Sequence, residues 1–62
     1  MEEFNTYLKG LSKLQLRQET VNSICEKDAP KISSCYEEMK SRNVEYLFIE
    51  AQNESVARLS GN

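Results

Sequence analysis

The sequence predicts an all-α fold: an antiparallel helical hairpin that dimerises into a four-helix bundle. Three observations lead there. Apolar residues recur every three or four positions through the first half of the chain. The same spacing resumes in the second half. The only proline, Pro30, lies between the two halves. A chain of 62 residues makes one domain at most. One this short buries only roughly 60% of its unfolded surface and is marginal as an isolated monomer.

The first helix is expected over about 3–26. Phe4, Tyr7, Leu11, Leu14, Gln18, Val21 and Cys25 form a heptad seam with one polar member, Gln18. Leu8 and Ile24 widen that stripe. Gly10 weakens the helix by roughly 1 kcal/mol relative to alanine. Directly after it, Ser12-Lys13-Leu14-Gln15 fits a capping box, with Leu11 and Leu16 placed for a hydrophobic staple. Two readings follow. The unbroken heptad favours one continuous helix. The staple favours a break near Gly10 that gives a short extra N-terminal helix, and it explains Leu16, which lies off the seam.

A turn is expected over about 27–33. The residue before a proline avoids helical geometry, and Asp28 suits a helix N-cap. Ser34-Cys35-Tyr36-Glu37 offers a second capping box. The second helix is therefore expected over about 34–60. Ile32, Cys35 and Met39 share a face, and Val44, Leu47, Phe48 and Ala51 fall at i, i+3, i+4 and i+7. Asn43 marks a local kink or break. Val56, Ala57 and Leu59 extend the pattern, and Gly61 supplies the stop. VEYLFI is also rich in strand formers, but without a second strand in the chain it has nothing to pair with.

The apolar surface of this second helix exceeds what one hairpin seam can cover. Leu11, Leu14, Gln18, Val21, Val44, Tyr46, Leu47, Phe48 and Ile49 are the expected dimer or partner interface. Broad apolar patches mark association surfaces, and Gln18 in the seam would set register and chain number. The alternative is a three-helix monomer whose core absorbs these residues.

Chemistry is sparsely represented. Histidine is absent, which removes the commonest general base and metal ligand. Two cysteines fall short of the four ligands of a structural zinc site. Neither cysteine has a histidine to activate it, and the two glycines, Gly10 and Gly61, make no phosphate loop. No enzyme activity, cofactor or metal is expected. Glu38–Arg42 and Glu54–Arg58 suit i,i+4 ion pairs on a solvated helix surface. Cys25 and Cys35, with nine residues between them, would face each other across the turn. A disulfide there needs Cα atoms within about 7 Å, and a reducing compartment favours free, packed thiols.

Lys9, Lys13 and Arg17 repeat at i, i+4 and i+8. A symmetric dimer would display this basic row twice, to touch phosphates on two sides of a nucleic-acid helix. No aromatic residue interleaves it, so base stacking is not suggested. The competing reading is a solvated face, or a row answering acidic residues of the second helix. A net charge of -2 gives no global pull on nucleic acid or anionic lipid. No run of about 18 apolar residues is present to span a membrane. Glu2 and Glu3 stand where a secretory signal would carry basic residues. A cytoplasmic chain is expected, in which the sequon Asn53-Glu54-Ser55 would stay unmodified.

In length, hairpin pattern and heptad seam the chain resembles the Rop-type plasmid proteins. That resemblance implies an acidic hairpin that dimerises into a four-helix bundle and binds paired RNA loops. No stretch aligns residue by residue, so no site carries over. The functional expectation is a small non-catalytic regulator of phage, plasmid or bacterial type. It would self-associate and bind a protein partner, with nucleic-acid binding or membership of a larger assembly as alternatives.

Overall fold

The computed structural model describes residues 2–61. They form four helices: α1 (Glu2–Lys9), α2 (Lys13–Glu26), α3 (Ala29–Ser41) and α4 (Tyr46–Ser60). No strand occurs among the described residues. Each of the two long helices expected from the sequence is therefore split.

The first split falls at Gly10–Ser12. Ser12 is extended at φ -70°, ψ 170°, and its hydroxyl accepts from the Gln15 amide while the Gln15 side chain accepts from the Ser12 amide. This reciprocal box satisfies two amide donors that a helix start otherwise leaves unpaired. Leu16 is fully buried in the main apolar cluster and Leu11 packs against that cluster, the arrangement the staple calls for. The capping signals outweigh the heptad, and the continuous helix over 3–26 is replaced by α1 and α2.

The turn is shorter than the expected 27–33. Asp28 caps α3 by accepting from the Lys31 amide at 3.3 Å, and Pro30 sits in the first turn, where its missing N–H leaves no bond unmade. Ser34 lies inside α3, so the second capping box does not start a helix. Lys27, at φ 58°, ends α2. Its amide reaches Ile24 O and the Asp28 amide reaches Ser23 O, the paired bonds of a Schellman stop.

The same stop recurs at the second split. Asn43 adopts φ 60°. Its amide bonds to Lys40 O, and the Val44 amide bonds to Met39 O. Val44 and Met39 both enter the core, the apolar contact that accompanies this motif. The expected helix over 34–60 is thus α3 and α4, broken where Asn43 hinted.

α2 is the central helix, packing on α3 and α4, while α1 lies on α3; α3 and α4 meet at few positions. The core has two halves. One is apolar: Leu8, Leu16, Cys35, Met39, Val44 and Leu47, with Phe4, Leu11 and Phe48 packed against them. The other is built from small and polar residues, with Thr20, Val21, Ser23, Ala51 and Ser55 buried. Each buried hydroxyl donates to a carbonyl of its own helix: Thr20 to Leu16, Ser23 to Glu19 and Ser55 to Ala51. Such back-bonding meets the requirement that buried polar groups be paired.

Candidate protein-interaction face

The nine residues expected at the interface separate into three groups. Val21, Val44 and Leu47 are buried within the chain, and Leu11 and Phe48 are half-buried against the core. Leu14, Gln18, Tyr46 and Ile49 are exposed. The heptad seam is therefore not the buried face of this chain. Leu14, a seam residue, is 77% exposed, whereas off-seam Leu16 is fully buried. Gln18 points away from the core and pairs with Asn22 one turn on, at 3.2 Å. The cause is the break at Gly10, which resets the rotation of α2 relative to α1.

α4 carries the exposed apolar surface in an organised form. Leu47, Ala51 and Ser55 step by four along its inner side and are buried. Ile49 (61% exposed), Val56 (63%) and Leu59 (56%) lie on its outward side, beginning next to Ser55, with Gln52 between. At 3.6 residues per turn, the 3-4-3 spacing of Ile49, Gln52, Val56 and Leu59 makes one stripe along the helix. Tyr46, 52% exposed, stands at the start of α4. The positions flanking the stripe are Phe48, Asn53, Ser55 and Ser60, none of them charged. The sequence pattern reached Val56 and Leu59 only as a continuation of a helix. Its interface ended at Ile49 because 3.6 periodicity alone does not say which part of a broad apolar face turns inward.

The basic row is divided between two helices. Lys9 ends α1 and Lys13 begins α2, so the two are on different helices. Arg17 is engaged across the α2–α4 interface: Nε donates to Glu50 Oε1 at 3.2 Å and Nη1 to Glu54 Oε1 at 2.7 Å. Arg58 adds a bond to Glu54 Oε2 at 2.9 Å. The guanidinium of Arg17 holds the Glu54 carboxyl below its ordinary value, and the two glutamates in turn raise the already high pKa of Arg17. Of the two sequence readings, Arg17 follows the one in which the row answers acidic residues.

No protein-family model matches the chain, and neither a curated protein nor a solved structure matches it.

Both cysteines are free thiols. Cys35 is fully buried, its sulfur 3.9 Å from Ser23 Oγ. Burial pushes its thiol pKa up, partly offset by hydrogen bonds from Thr20 and Ser23. Cys25 is half-buried. Among the described residues no three His, Cys, Asp or Glu side chains gather where they could hold a metal ion, and no helix is long and apolar enough to cross a membrane. A groove of about 320 Å³ runs between α1 and α3 beside Lys9, Ser34, Glu37 and Ser41. Glu38, on its wall, is tied up by Arg42 at 2.8 Å.

Sequence reasoning missed the role of Arg42. It was visible only as an i,i+4 partner of Glu38. In the fold, Nη1 donates to Leu11 O at 2.7 Å, and Nη2 donates to Leu8 O at 2.8 Å and Lys9 O at 3.3 Å. These carbonyls belong to the end of α1 and the turn after it, where acceptors lack intrahelical partners and the helix dipole favours a cation.

Proposed function

We propose that this protein is a non-catalytic interaction module that self-associates as a homodimer, with the outer stripe of α4 as the contact. The observation that carries this reading is that α4 is apolar on two sides. Its inner side is used by Leu47 and Ala51, and its outer side still offers Ile49, Val56 and Leu59. An exposed apolar stripe on a helix that is already packed marks a contact surface, and the chain itself covers only the inner side. A second copy suits the other side. The uncharged flanks place no like charges opposite one another when identical stripes meet, which is the main electrostatic obstacle to pairing identical helices. Gln52 in the stripe takes the register-setting role first assigned to Gln18. Two α4 helices packed this way, each backed by its own α2, would make a four-helix core of α2 and α4 pairs, so the bundle arises between copies without either chain being a simple hairpin.

Sedimentation equilibrium over about a hundredfold range of concentration tests it, because mass action makes a dimer concentration-dependent. The expected result is a monomer–dimer equilibrium that Val56→Glu moves to monomer. A wild-type chain that stays monomeric throughout overturns self-association and leaves the stripe to a different protein.

A further inference from the structure

We propose that α4 exchanges between two copies of this chain. Asn43 leaves its left-handed conformation, α3 and α4 merge into one helix, and α4 docks on α2 of the second copy. This rests on the reading of the chain as self-associating and concerns how the copies engage. It leaves the outer stripe of α4 free, so the two modes separate by experiment.

The two residues that bound the linker between α3 and α4 already have right-handed backbone. Arg42 lies at φ -95°, ψ 0° and Glu45 at φ -59°, ψ -24°, both right-handed. Asn43 alone has positive φ there, at 60°, a region that L-residues occupy at a cost. From Lys31 to Ser60 the sequence holds neither glycine nor proline, so nothing forbids an uninterrupted helix. The start of α4 also gains from continuity. Glu45, its N-cap, makes no side-chain cap bond. The Leu47 and Phe48 amides reach back only three residues, to Val44 O and Glu45 O. In a merged helix they take regular bonds four residues back.

The destination is equally well defined. α4 packs mainly on α2 and little on α3. Its polar links to α2 are Glu50 and Glu54 on Arg17 and the Ser55 hydroxyl toward Val21 O. Every one can form in trans with the same geometry, because the second copy presents the same α2. Exchange of an identical element is a low-cost route to a dimer. The balance is then set at Asn43.

Two measurements test this. First, sedimentation of hinge variants in a Val56→Glu background, which removes the stripe contact. Asn43→Ala, which disfavours the left-handed region, should tighten dimerisation about tenfold or more relative to Asn43→Gly, which tolerates it. Equal behaviour of the two overturns the proposal. Second, two charge-reversed chains are mixed, one carrying Arg17→Glu and the other Glu50→Arg with Glu54→Arg. Each alone places like charges between α2 and α4. In an exchanged heterodimer both interfaces pair opposite charges. Native mass spectrometry should show a heterodimer well in excess of either homodimer, and if the single variants are poorly folded, circular dichroism should show helix regained on mixing. A mixture that is the simple sum of its parts overturns exchange. It leaves the stripe reading intact if the wild-type dimer is still dissociated by Val56→Glu.

Discussion

Arg42 Nη1 donates to the carbonyl oxygen of Leu11 at 2.7 Å, joining residues 31 positions apart. With the companion bond from Nη2 to Leu8 O at 2.8 Å, one side chain at the end of α3 closes the end of α1. Hydrogen bonds from a charged donor contribute roughly 1.5–3 kcal/mol, and the partial exposure of this side chain favours the lower part of that range. Arg42→Ala should therefore lower stability by about 2 kcal/mol, and Arg42→Lys should recover only part, since one ammonium cannot span the carbonyls as a planar fork does. Urea unfolding followed by circular dichroism gives both values. A neutral Arg42→Ala would mean that the packing of Leu8 and Phe4 and the Tyr7–Glu19 bond hold α1 without this grip.

Ser12→Ala removes the hydroxyl that accepts from the Gln15 amide. The expected loss is roughly 1 kcal/mol. In a domain of this size that lowers the thermal midpoint by about 4–8 °C. Ser34→Ala, at the capping signal that lies inside α3, should change the midpoint by far less.

Leu14 and Leu16 stand two residues apart and differ completely in burial. Leu16→Ala should cost about 2–5 kcal/mol, the range for an aliphatic side chain removed from a packed core. Leu14→Ala should stay within about 0.5 kcal/mol. Equal losses from the two would restore the uninterrupted heptad and argue against the break at Gly10.

The Arg17–Glu54 pair makes docking of α4 pH-dependent. Arg17 depresses the Glu54 pKa from its ordinary 4.5. The contribution of this pair is therefore present above that ordinary value and disappears as pH falls through the lower value of the folded state. The thermal midpoint should decline over that acid range, and Glu54→Gln should flatten that part of the curve. Added salt should weaken the wild-type effect, because the pair is partly solvated and subject to screening.

The two thiols should separate kinetically. An alkylating reagent should modify half-buried Cys25 in the native protein. Cys35 is fully buried and its thiol pKa is raised, so it should react only once the protein opens. Mass spectrometry after timed quenching distinguishes one modified thiol from two.

Most local signals in the sequence were legible; the Ser34–Glu37 box is the exception, because Asp28 starts α3 earlier and leaves Ser34 inside it. The Ser12–Gln15 box, the Leu11–Leu16 staple, the Asp28 cap, the position of Pro30 and the break at Asn43 are all short-range, and each appears in the fold. The i,i+4 pairs Glu38–Arg42 and Glu54–Arg58 form as expected. What was not legible depended on rotation between helices. A heptad counted from Phe4 to Cys25 assumes one continuous helical phase, and three nonhelical residues at Gly10–Ser12 erase it. That single change moved Leu14 and Gln18 outward and Leu16 and Thr20 inward. It also parted Lys9 from Lys13. The Arg17 link to Glu50 and Glu54 and the Arg42 grip on α1 join residues more than thirty positions apart, which no periodicity encodes.

The hydroxyls of Thr20, Ser23 and Ser55 each return to their own helix, and what they offer between helices is weak: the 3.5 Å approach of Ser55 Oγ to Val21 O and the contacts of Thr20 and Ser23 with the Cys35 thiol, 3.9 Å for Ser23. Helices that satisfy their polar groups internally hold no directional bonds that fix how far one stands along another. Inside this half of the core a shift of α4 along α2 therefore disturbs the packing of small side chains but strands no buried hydroxyl; at its edge, the partly solvated bonds from Arg17 to Glu50 and Glu54 resist the shift. Register is set by those ion pairs and, at the opposite end, by the bulk of Leu16, Met39, Val44 and Leu47.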